Sequence, residues 1–144
     1  MFPEASSAVK VITGFDRNLP KVYVNYEEIK HVLLNLLKNG FEAMNQSSTK
    51  ELAVKTISKV LRKTGWVEIV ISDTGLGIKK DNLKLIGTPF FTTKIRGTGL
   101  GLAVCHRIIV DRHKGKILIE SEEGLGTTVT IKLPVNTRRE EKGQ

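Results

Sequence analysis

Apolar and polar residues alternate along several short segments of the chain, and alternation of period two is the pattern of a half-buried β-strand. Two short strands are expected around a polar turn at 14–20. A hairpin is expected around 63–65, and the last two strands should be joined at 123–126. The predicted strands cover 8–13, 21–24, 52–60, 66–72, 116–121 and 127–133.

Two helices are also expected, and the first carries apolar residues at the spacing of a helix face. One helix is expected from Tyr26 to Met44, with Asn25 as its N-cap and Glu28 completing a pair that resembles a capping box. The apolar positions of this helix are Ile29, Val32, Leu33, Leu36 and Leu37. The second helix is expected from Leu100 to Arg112, stopped by Gly115.

This order of elements predicts an α/β (α+β) two-layer sandwich, in which helices pack on one face of a mixed β-sheet. The 144 residues suit one domain, which we place at 1–135, followed by a charged and disordered tail at 136–144. No apolar run is long enough to cross a membrane, and the lone Cys105 favours a reducing, cytoplasmic setting.

The formal net charge of +8 fits two kinds of partner, nucleic acids and small polyanions such as nucleotides. The basic residues form no continuous stripe, and aromatic residues on which bases could stack make up only 6% of the chain. We therefore expect no nucleic-acid partner.

The first candidate for chemistry is a polar stripe on the first helix. Asn35, Lys38, Asn39 and Glu42 are spaced to share one helix face, beside the apolar stripe. One interpretation is an ordinary solvated face. The other is the floor of a site for a polar ligand, in which an amide oxygen serves a hard cation such as Mg²⁺.

The second candidate is a set of glycine-rich loops, two of them in a loop region predicted at 73–99. The loops are Asp73–Gly77, Gly97–Gly101 and Gly124–Thr127. The middle loop leads into a helix, whose N-terminal amides and dipole favour phosphate, although neither a Walker A loop nor a Rossmann fingerprint is present. Asp73 could accept a hydrogen bond from an exocyclic amine or cap a turn. The segment 88–96 could be a lid over phosphates or a surface loop anchored by Phe90 and Phe91.

Together these segments resemble the ATP-binding catalytic domain of bacterial sensor histidine kinases, in the superfamily shared with gyrase, heat-shock chaperones and mismatch-repair ATPases. Motifs similar to those of the family follow one another in the family order between about residues 8 and 134. The phrase from Pro89 to Leu102 is most similar to nitrogen-regulation and sporulation kinases. The motifs are an N box at 35–39, a first glycine box at 73–77, an F box at 89–94, a second glycine box at 97–102 and a last glycine box at 124–128.

The resemblance implies a Bergerat-type fold that holds Mg·ATP between the N-box helix and a lid. It makes Asn39 the Mg²⁺ ligand and Asp73 the acceptor for the adenine amine, and it makes Asn35, Asn39 and Lys94 the catalytic residues. The residues implied in nucleotide binding are Asn35, Lys38, Asn39, Asp73, Gly75, Gly77, Ile78, Thr92, Thr93, Lys94, Arg96, Gly97, Thr98, Gly99, Leu100, Gly101, Leu102 and Thr127.

Three positions depart from the family pattern. Gly40 stands where alanine is common and should cost about 1 kcal/mol of helix propensity. Glu42 stands where some branches carry a phosphate-binding lysine, which leaves Lys94 or Arg96 to neutralise the phosphates. Gly87 replaces an aromatic residue before the F box, which should loosen the lid.

The residue at position 35 separates kinases from other members of the superfamily. The ATPases, and the serine kinases that inhibit sigma factors, usually place glutamate where this chain has Asn35. An amide cannot take up a proton near neutral pH, so slow or absent ATP hydrolysis is expected.

No histidine in the chain fits the family's phosphoacceptor, which is followed directly by an acidic residue; this holds for His31, His106 and His113. The resemblance therefore implies a fragment that donates the γ-phosphoryl group of Mg·ATP to a histidine on a separate dimerisation domain, with a response regulator downstream. Whether the parent kinase is membrane-anchored stays open. The alternatives are a superfamily ATPase, an anti-sigma-type serine kinase or a degenerate nucleotide-binding module.

Overall fold

The strands form one mixed sheet. The computed structural model describes residues 8–62, 64–83 and 99–135. Within these ranges the strand order is β1-β2-β3-β5-β4; β1 is parallel to β2, and the other neighbours are antiparallel. The strands are β1 (Lys10–Gly14), β2 (Glu51–Leu61), β3 (Thr64–Asp73), β4 (Lys116–Glu122) and β5 (Gly126–Pro134).

The helices pack on one face of this sheet, which confirms the predicted two-layer sandwich. They are α1 (Tyr26–Ala43), α2 (Lys80–Leu83) and α3 (Gly99–His106), and α3 continues as a π-helical segment at Arg107–Arg112. No helix in the described part of the chain is long and apolar enough to cross a membrane.

The hydrophobic core lies between the helices and the sheet face that they cover. Val32 of α1 and Ile109 of the π-helical segment are fully buried, as are Leu52 and Ile131 on the strands. The apolar face predicted for α1 supplies part of the helical side of this core. Burying one such side chain contributes roughly 1.5–3 kcal/mol, so this packing holds α1 in place over the sheet.

The segment 21–24 is not a strand, contrary to the prediction. Val22 packs against the core, but Tyr23 and Val24 are exposed. The alternation there reflects one partly buried side chain in the connection to α1, and no described strand pairs with the segment. Alternation alone does not make a strand, because a strand also needs a hydrogen-bonded neighbour.

The region around α3 also differs from the prediction. The helix is α-helical only as far as His106, and its last turns widen into the π-helical segment. The chain leaves this segment through Lys114, which has a φ of 57°, so the left-handed residue is Lys114 and not Gly115. In addition, the region predicted as loop contains the short helix α2.

One of the two contacts predicted for the N-terminal cap of α1 is present, and the other is not. Oδ1 of Asn25 accepts a hydrogen bond from the Glu28 N–H at 2.9 Å. The Glu28 carboxylate does not return to the cap; it pairs with Nε of Arg112 at 2.6 Å, and this contact raises the pKa of Arg112. The Asn25 N–H instead donates to Nε2 of His113 at 3.0 Å. The N-terminus of α1 is thereby joined to the end of the π-helical segment.

The donor and acceptor roles of the two ring nitrogens of His113 follow from their partners. Nδ1 lies 2.8 Å from the carbonyl oxygen of Ile108, which can only accept, while Nε2 faces the Asn25 N–H, which can only donate. In this arrangement Nδ1 is the donor of the His113 ring and Nε2 is its acceptor.

We expect His113→Phe to lower the free energy of unfolding by about 1 kcal/mol, since both hydrogen bonds of the ring are lost while water can reach the exposed Asn25 N–H. Urea denaturation measures this change. His106→Phe, at an exposed position on α3, is the matched control and should change the stability less. Equal stability of the two variants would contradict the junction described above.

Candidate functional site

A cavity opens on the helix-covered face of the sheet, at the ends of β3 and β5. Most of its lining is apolar, and the polar exceptions are Asn39, Asp73 and Thr127. This apolar slot encloses about 40 Å³, and a few polar groups in an apolar lining are the composition of a site for a small organic ligand. The lining residues are Leu36, Asn39, Gly40, Ile71, Asp73, Ile78, Leu102, Ile119, Thr127 and Val129.

Asp73 is held at the end of β3 by its own turn. Its register partners are Leu52 on β2 and Thr127 on β5, which places it on the helix-covered face. The Gly75 N–H donates to Oδ1 of Asp73 at 2.8 Å. A carboxylate oriented in this way can accept a hydrogen bond from a ligand, so the turn cap and the ligand acceptor predicted as alternatives are compatible.

Gly40 brings α1 close to this carboxylate. A Cβ atom at Gly40 would lie 3.7 Å from Oδ2 of Asp73 and 2.8 Å from Cδ1 of Leu52. The absent methyl group therefore lets the helix that carries Asn39 lie close to β2 and β3. This close packing is a physical reason for the departure noted at Gly40.

Thr127 presents an acceptor to the cavity through a hydroxyl network. The Ser121 hydroxyl donates to the carbonyl oxygen of Gly126 at 3.0 Å and accepts from the Ile78 N–H at 2.8 Å. Its single proton is thus used, so the Thr127 hydroxyl, 2.8 Å away, must donate to it. The lone pairs of the Thr127 oxygen remain for a ligand.

The turn after β3 passes two other elements at close range. A Cβ atom at Gly75 would lie 2.6 Å from the carbonyl oxygen of Ala43, and one at Gly77 would collide with the carbonyl oxygen of Glu122. The φ of Gly77 is also positive, at 76°. Glycine at both positions is thus explained by the packing of the protein itself, and contact of these two residues with a ligand stays a prediction.

Hydrogen bonds of Thr74 connect the same turn to the start of β2. Its hydroxyl donates to the carbonyl oxygen of Thr49 at 2.7 Å and accepts from the Glu51 N–H at 2.9 Å. The Thr74 N–H also donates to the Glu51 carbonyl oxygen at 3.2 Å. The position of Asp73 therefore depends on contacts to several elements.

The polar stripe on α1 divides between two environments. Asn39 lines the cavity, whereas Asn35 does not: its Nδ2 lies 3.3 Å from Nε2 of His31. Lys38 and Glu42 face solvent as an i,i+4 pair with Nζ and Oε2 4.0 Å apart. A contact at that distance between exposed groups contributes little stability, and both charges stay accessible.

The remaining predicted residues fall into three groups. Ile78, Leu102 and Thr127 line the cavity with Asn39 and Asp73, and Gly99–Gly101 form the start of α3. The rest lie outside the described residues, as do Gly87, the F box, the lid and the tail at 136–144. The site residues in this last group are Thr92, Thr93, Lys94, Arg96, Gly97 and Thr98.

The sequence did not lead us to predict the apolar residues that line the cavity, or the role of Ser121 in supporting Thr127. Ile71 and Val129 each lie two residues from a predicted polar site residue on the same strand, and Ile119 is on β4. Because side chains two apart share a sheet face, this spacing from Asp73 and Thr127 was a usable signal for Ile71 and Val129. Ser121 offered no signal, since its role comes from contacts with β5 and with the turn after β3.

Comparison with known proteins gives one family. The profile of the family described as histidine kinase-, DNA gyrase B-, and HSP90-like ATPase matches residues 24–137. The chain is 41% identical to sporulation kinase E of Bacillus subtilis (strain 168) over 125 residues, which cover 87% of this chain and 16% of that protein. It is 43% identical to the sensor histidine kinase ZraS of Escherichia coli (strain K12) over 127 residues, which cover 87% of this chain and 26% of that protein.

A solved structure shares the fold. The catalytic domain of the histidine kinase ThkA superposes with a TM-score of 0.74 at 28% identity, covering 92% of this chain and 83% of that one. The Bergerat-type fold and the likeness to sporulation kinases are thereby confirmed, while the likeness to nitrogen-regulation kinases stays a prediction. The chain spans only 16% and 26% of the two curated relatives.

We expect Gly77→Ala to destabilise the protein far more than Gly124→Ala. Both glycines have positive φ, 76° and 88°, so each alanine costs about 1–2 kcal/mol of backbone strain. A Cβ atom at Gly124 meets nothing within 4 Å, whereas one at Gly77 collides with the backbone of Glu122. The two midpoints of urea unfolding measure the difference, and equal losses of stability would show that the turn does not pack as described.

Proposed function

Because the chain belongs to the histidine kinase-, DNA gyrase B-, and HSP90-like ATPase family, we propose that it binds Mg·ATP in the cavity at Asp73. We further propose that it donates the γ-phosphoryl group to a histidine on a separate dimerisation and phosphoacceptor domain of a sensor kinase. The catalytic domain would occupy 1–135, and a response regulator would receive the phosphoryl group downstream. The observation that carries the proposal is the oriented carboxylate of Asp73 in an apolar slot.

Selection of adenine follows from which groups in the slot can accept hydrogen bonds. Oδ1 of Asp73 already accepts from the Gly75 N–H, which sets the plane of the carboxylate. The Thr127 oxygen also presents lone pairs, since its proton is used on Ser121. Two hydrogen-bond acceptors favour a base with an exocyclic amine, which can donate to them. A base with a carbonyl group at that position would be disfavoured, because neither side could donate a proton to the contact.

Asn39 fits the chemistry of a magnesium ligand. In the described part of the chain, no group of three or more histidine, cysteine or acidic side chains could hold a metal ion without help. Magnesium prefers oxygen ligands and keeps several waters, so the amide oxygen of Asn39 with phosphate oxygens would suffice. The ion would neutralise charge on the phosphates when it is bound.

The phosphates would lie toward the N-terminus of α3. This helix begins at Gly99, and its first amide groups have no partner within the helix, which favours an anion. Lys94, Arg96 and the lid residues would add positive charge and hydroxyl donors. The phosphoryl group passes through a loose transition state, so positioning and charge neutralisation are the main tasks of the protein.

The asparagine at position 35 favours a kinase activity over an ATPase activity. An amide at Asn35 cannot serve as general base for water or for a serine hydroxyl. The acceptor histidine would be a nucleophile in its own right, supplied by the other domain. A degenerate module is disfavoured, because Asn39, Asp73 and Thr127 keep their chemistry and line one cavity.

We expect Asp73→Asn to weaken ADP binding by about 10- to 100-fold, since a hydrogen bond to a charged group contributes about 1.5–3 kcal/mol. Isothermal titration calorimetry measures this affinity. Asp111→Asn, at an exposed position beyond α3, removes the same charge and should leave the affinity unchanged. Equal losses in both variants would mean that net charge, and not an acceptor in the cavity, controls binding.

We expect Asn39→Ala to remove the magnesium-dependent part of nucleotide affinity while it leaves ADP binding in EDTA within about twofold, because the amide oxygen of Asn39 serves the ion and not the base. Titrations with and without Mg²⁺ separate the two contributions. A variant that keeps the full effect of Mg²⁺ would contradict the assignment of Asn39.

The transfer step is tested by mixing the chain with radiolabelled ATP and the dimerisation domain of the same kinase. The proposal predicts acid-labile phosphohistidine on that domain and none on this chain. Steady hydrolysis of ATP by the chain alone would instead favour the ATPase alternative.

A further inference from the structure

The strand β4 lies at an edge of the sheet. Among the strands that the structure describes, β5 is its one neighbour, so the backbone groups along its outer edge have no strand partner in that part of the chain. Its side chains alternate between exposed and half-buried from one end of the strand to the other. An edge strand of this kind can pair with a strand of another molecule, and its side chains decide which partner fits.

The charges around β4 are arranged antisymmetrically about Leu118. Two lysines precede this residue, and two glutamates follow it at the same distances. The matched positions are Lys116 with Glu120, two residues away, and Lys114 with Glu122, four residues away. All four charged side chains are exposed, and Leu118 is 45% exposed. The strand therefore presents an apolar centre with positive charge at one end and negative charge at the other.

This pattern complements itself in an antiparallel pair of strands. When Leu118 lies opposite Leu118 of a second copy, Lys116 of each copy lies opposite Glu120 of the other, with their Cβ atoms about 5 Å apart. A parallel pair would instead place lysine beside lysine and glutamate beside glutamate. A shift by two residues in either direction would break the match of Lys116 with Glu120. The charges therefore favour one direction and one register.

The other edge of the sheet lacks this property. The strand β1 (Lys10–Gly14) has five residues, and Lys10 is its only charged side chain. Antiparallel pairing of β1 with a second β1 would therefore match no opposite charges. Charge complementarity favours β4 as the edge that a second copy covers.

We propose that the chain forms an antiparallel dimer through β4, centred on Leu118, so that the two sheets become one continuous sheet. The contact is isologous, because each copy offers the same strand to the other, and it requires no nucleotide. In the single chain, Nζ of Lys116 lies 5.2 Å from the centre of the Trp66 ring. A cation–π contact at an exposed site is weak, so Lys116 can exchange it for Glu120 of the second copy.

Sedimentation equilibrium of the full chain over a range of concentrations measures the association. We expect a reversible equilibrium between monomer and dimer that high salt weakens, because the charged pairs lie at the surface. A chain that stays monomeric at every concentration at which it is soluble would overturn the proposal, and so would assembly beyond the dimer.

Two charge reversals test the register. Lys116→Glu places glutamate opposite Glu120, and Glu120→Lys places lysine opposite Lys116, so each variant alone should dimerise about 10- to 100-fold more weakly than the wild type. An equal mixture of the two variants should form heterodimers with close to the wild-type affinity, since each of these pairs then joins opposite charges. The double variant Lys116→Glu/Glu120→Lys should recover the affinity for the same reason.

A matched control separates this contact from an effect of net charge. Lys59→Glu, at an exposed position on β2, reverses the same charge on another strand and should leave the dimer unchanged. Recovery in the mixture also excludes misfolding of the single variants, because mixing does not refold a chain. If the single reversals have no effect, if the mixture does not recover, or if Lys59→Glu weakens the dimer equally, the pairing through β4 is wrong.

Discussion

The turn after β3 has no room for side chains where it crosses its neighbours, and the candidate site depends on that constraint. Gly75 passes under the last residues of α1, and Gly77 passes against Glu122 beside the β4–β5 hairpin. A Cβ atom at Gly126 would likewise collide with the carbonyl oxygen of Asp73. Because close-packed backbone transmits small displacements, these contacts hold the Asp73 carboxylate in one place relative to α1 and β5.

The chemistry of the site follows from what this packing brings together. The sheet supplies Asp73 and Thr127 as acceptors, α1 supplies Asn39, and α3 supplies Leu102 to the same cavity. The proposed roles in base selection, metal binding and phosphate binding thus fall to three elements that share one core. The proposed transfer of a phosphoryl group to another domain needs this kind of fixed geometry, because the protein would supply position and charge in place of a general base.

Much of this arrangement was predictable from the sequence, because its signals are local. The helical spacing of α1, the alternation in β2 to β5 and the glycine-rich turn at Asp73 each carry a period or a residue type with one physical explanation. The misses depend on contacts between distant residues. Glu28 pairs with Arg112 and not with its own cap, and Lys114 takes the left-handed conformation expected at Gly115. No local pattern encodes such partners.

The most direct test of the account compares two ligands that differ at one position of the base. Calorimetric titration of the wild-type chain with ADP and with inosine diphosphate, both with Mg²⁺, replaces the exocyclic amine by a carbonyl and leaves the phosphates the same. Since the amine donates to Asp73 in this account, ADP should bind at least about 10-fold more tightly than inosine diphosphate. Equal affinities would show that the carboxylate at the end of β3 does not distinguish the two bases. The claim that Asp73 accepts a hydrogen bond from the adenine amine would then be wrong.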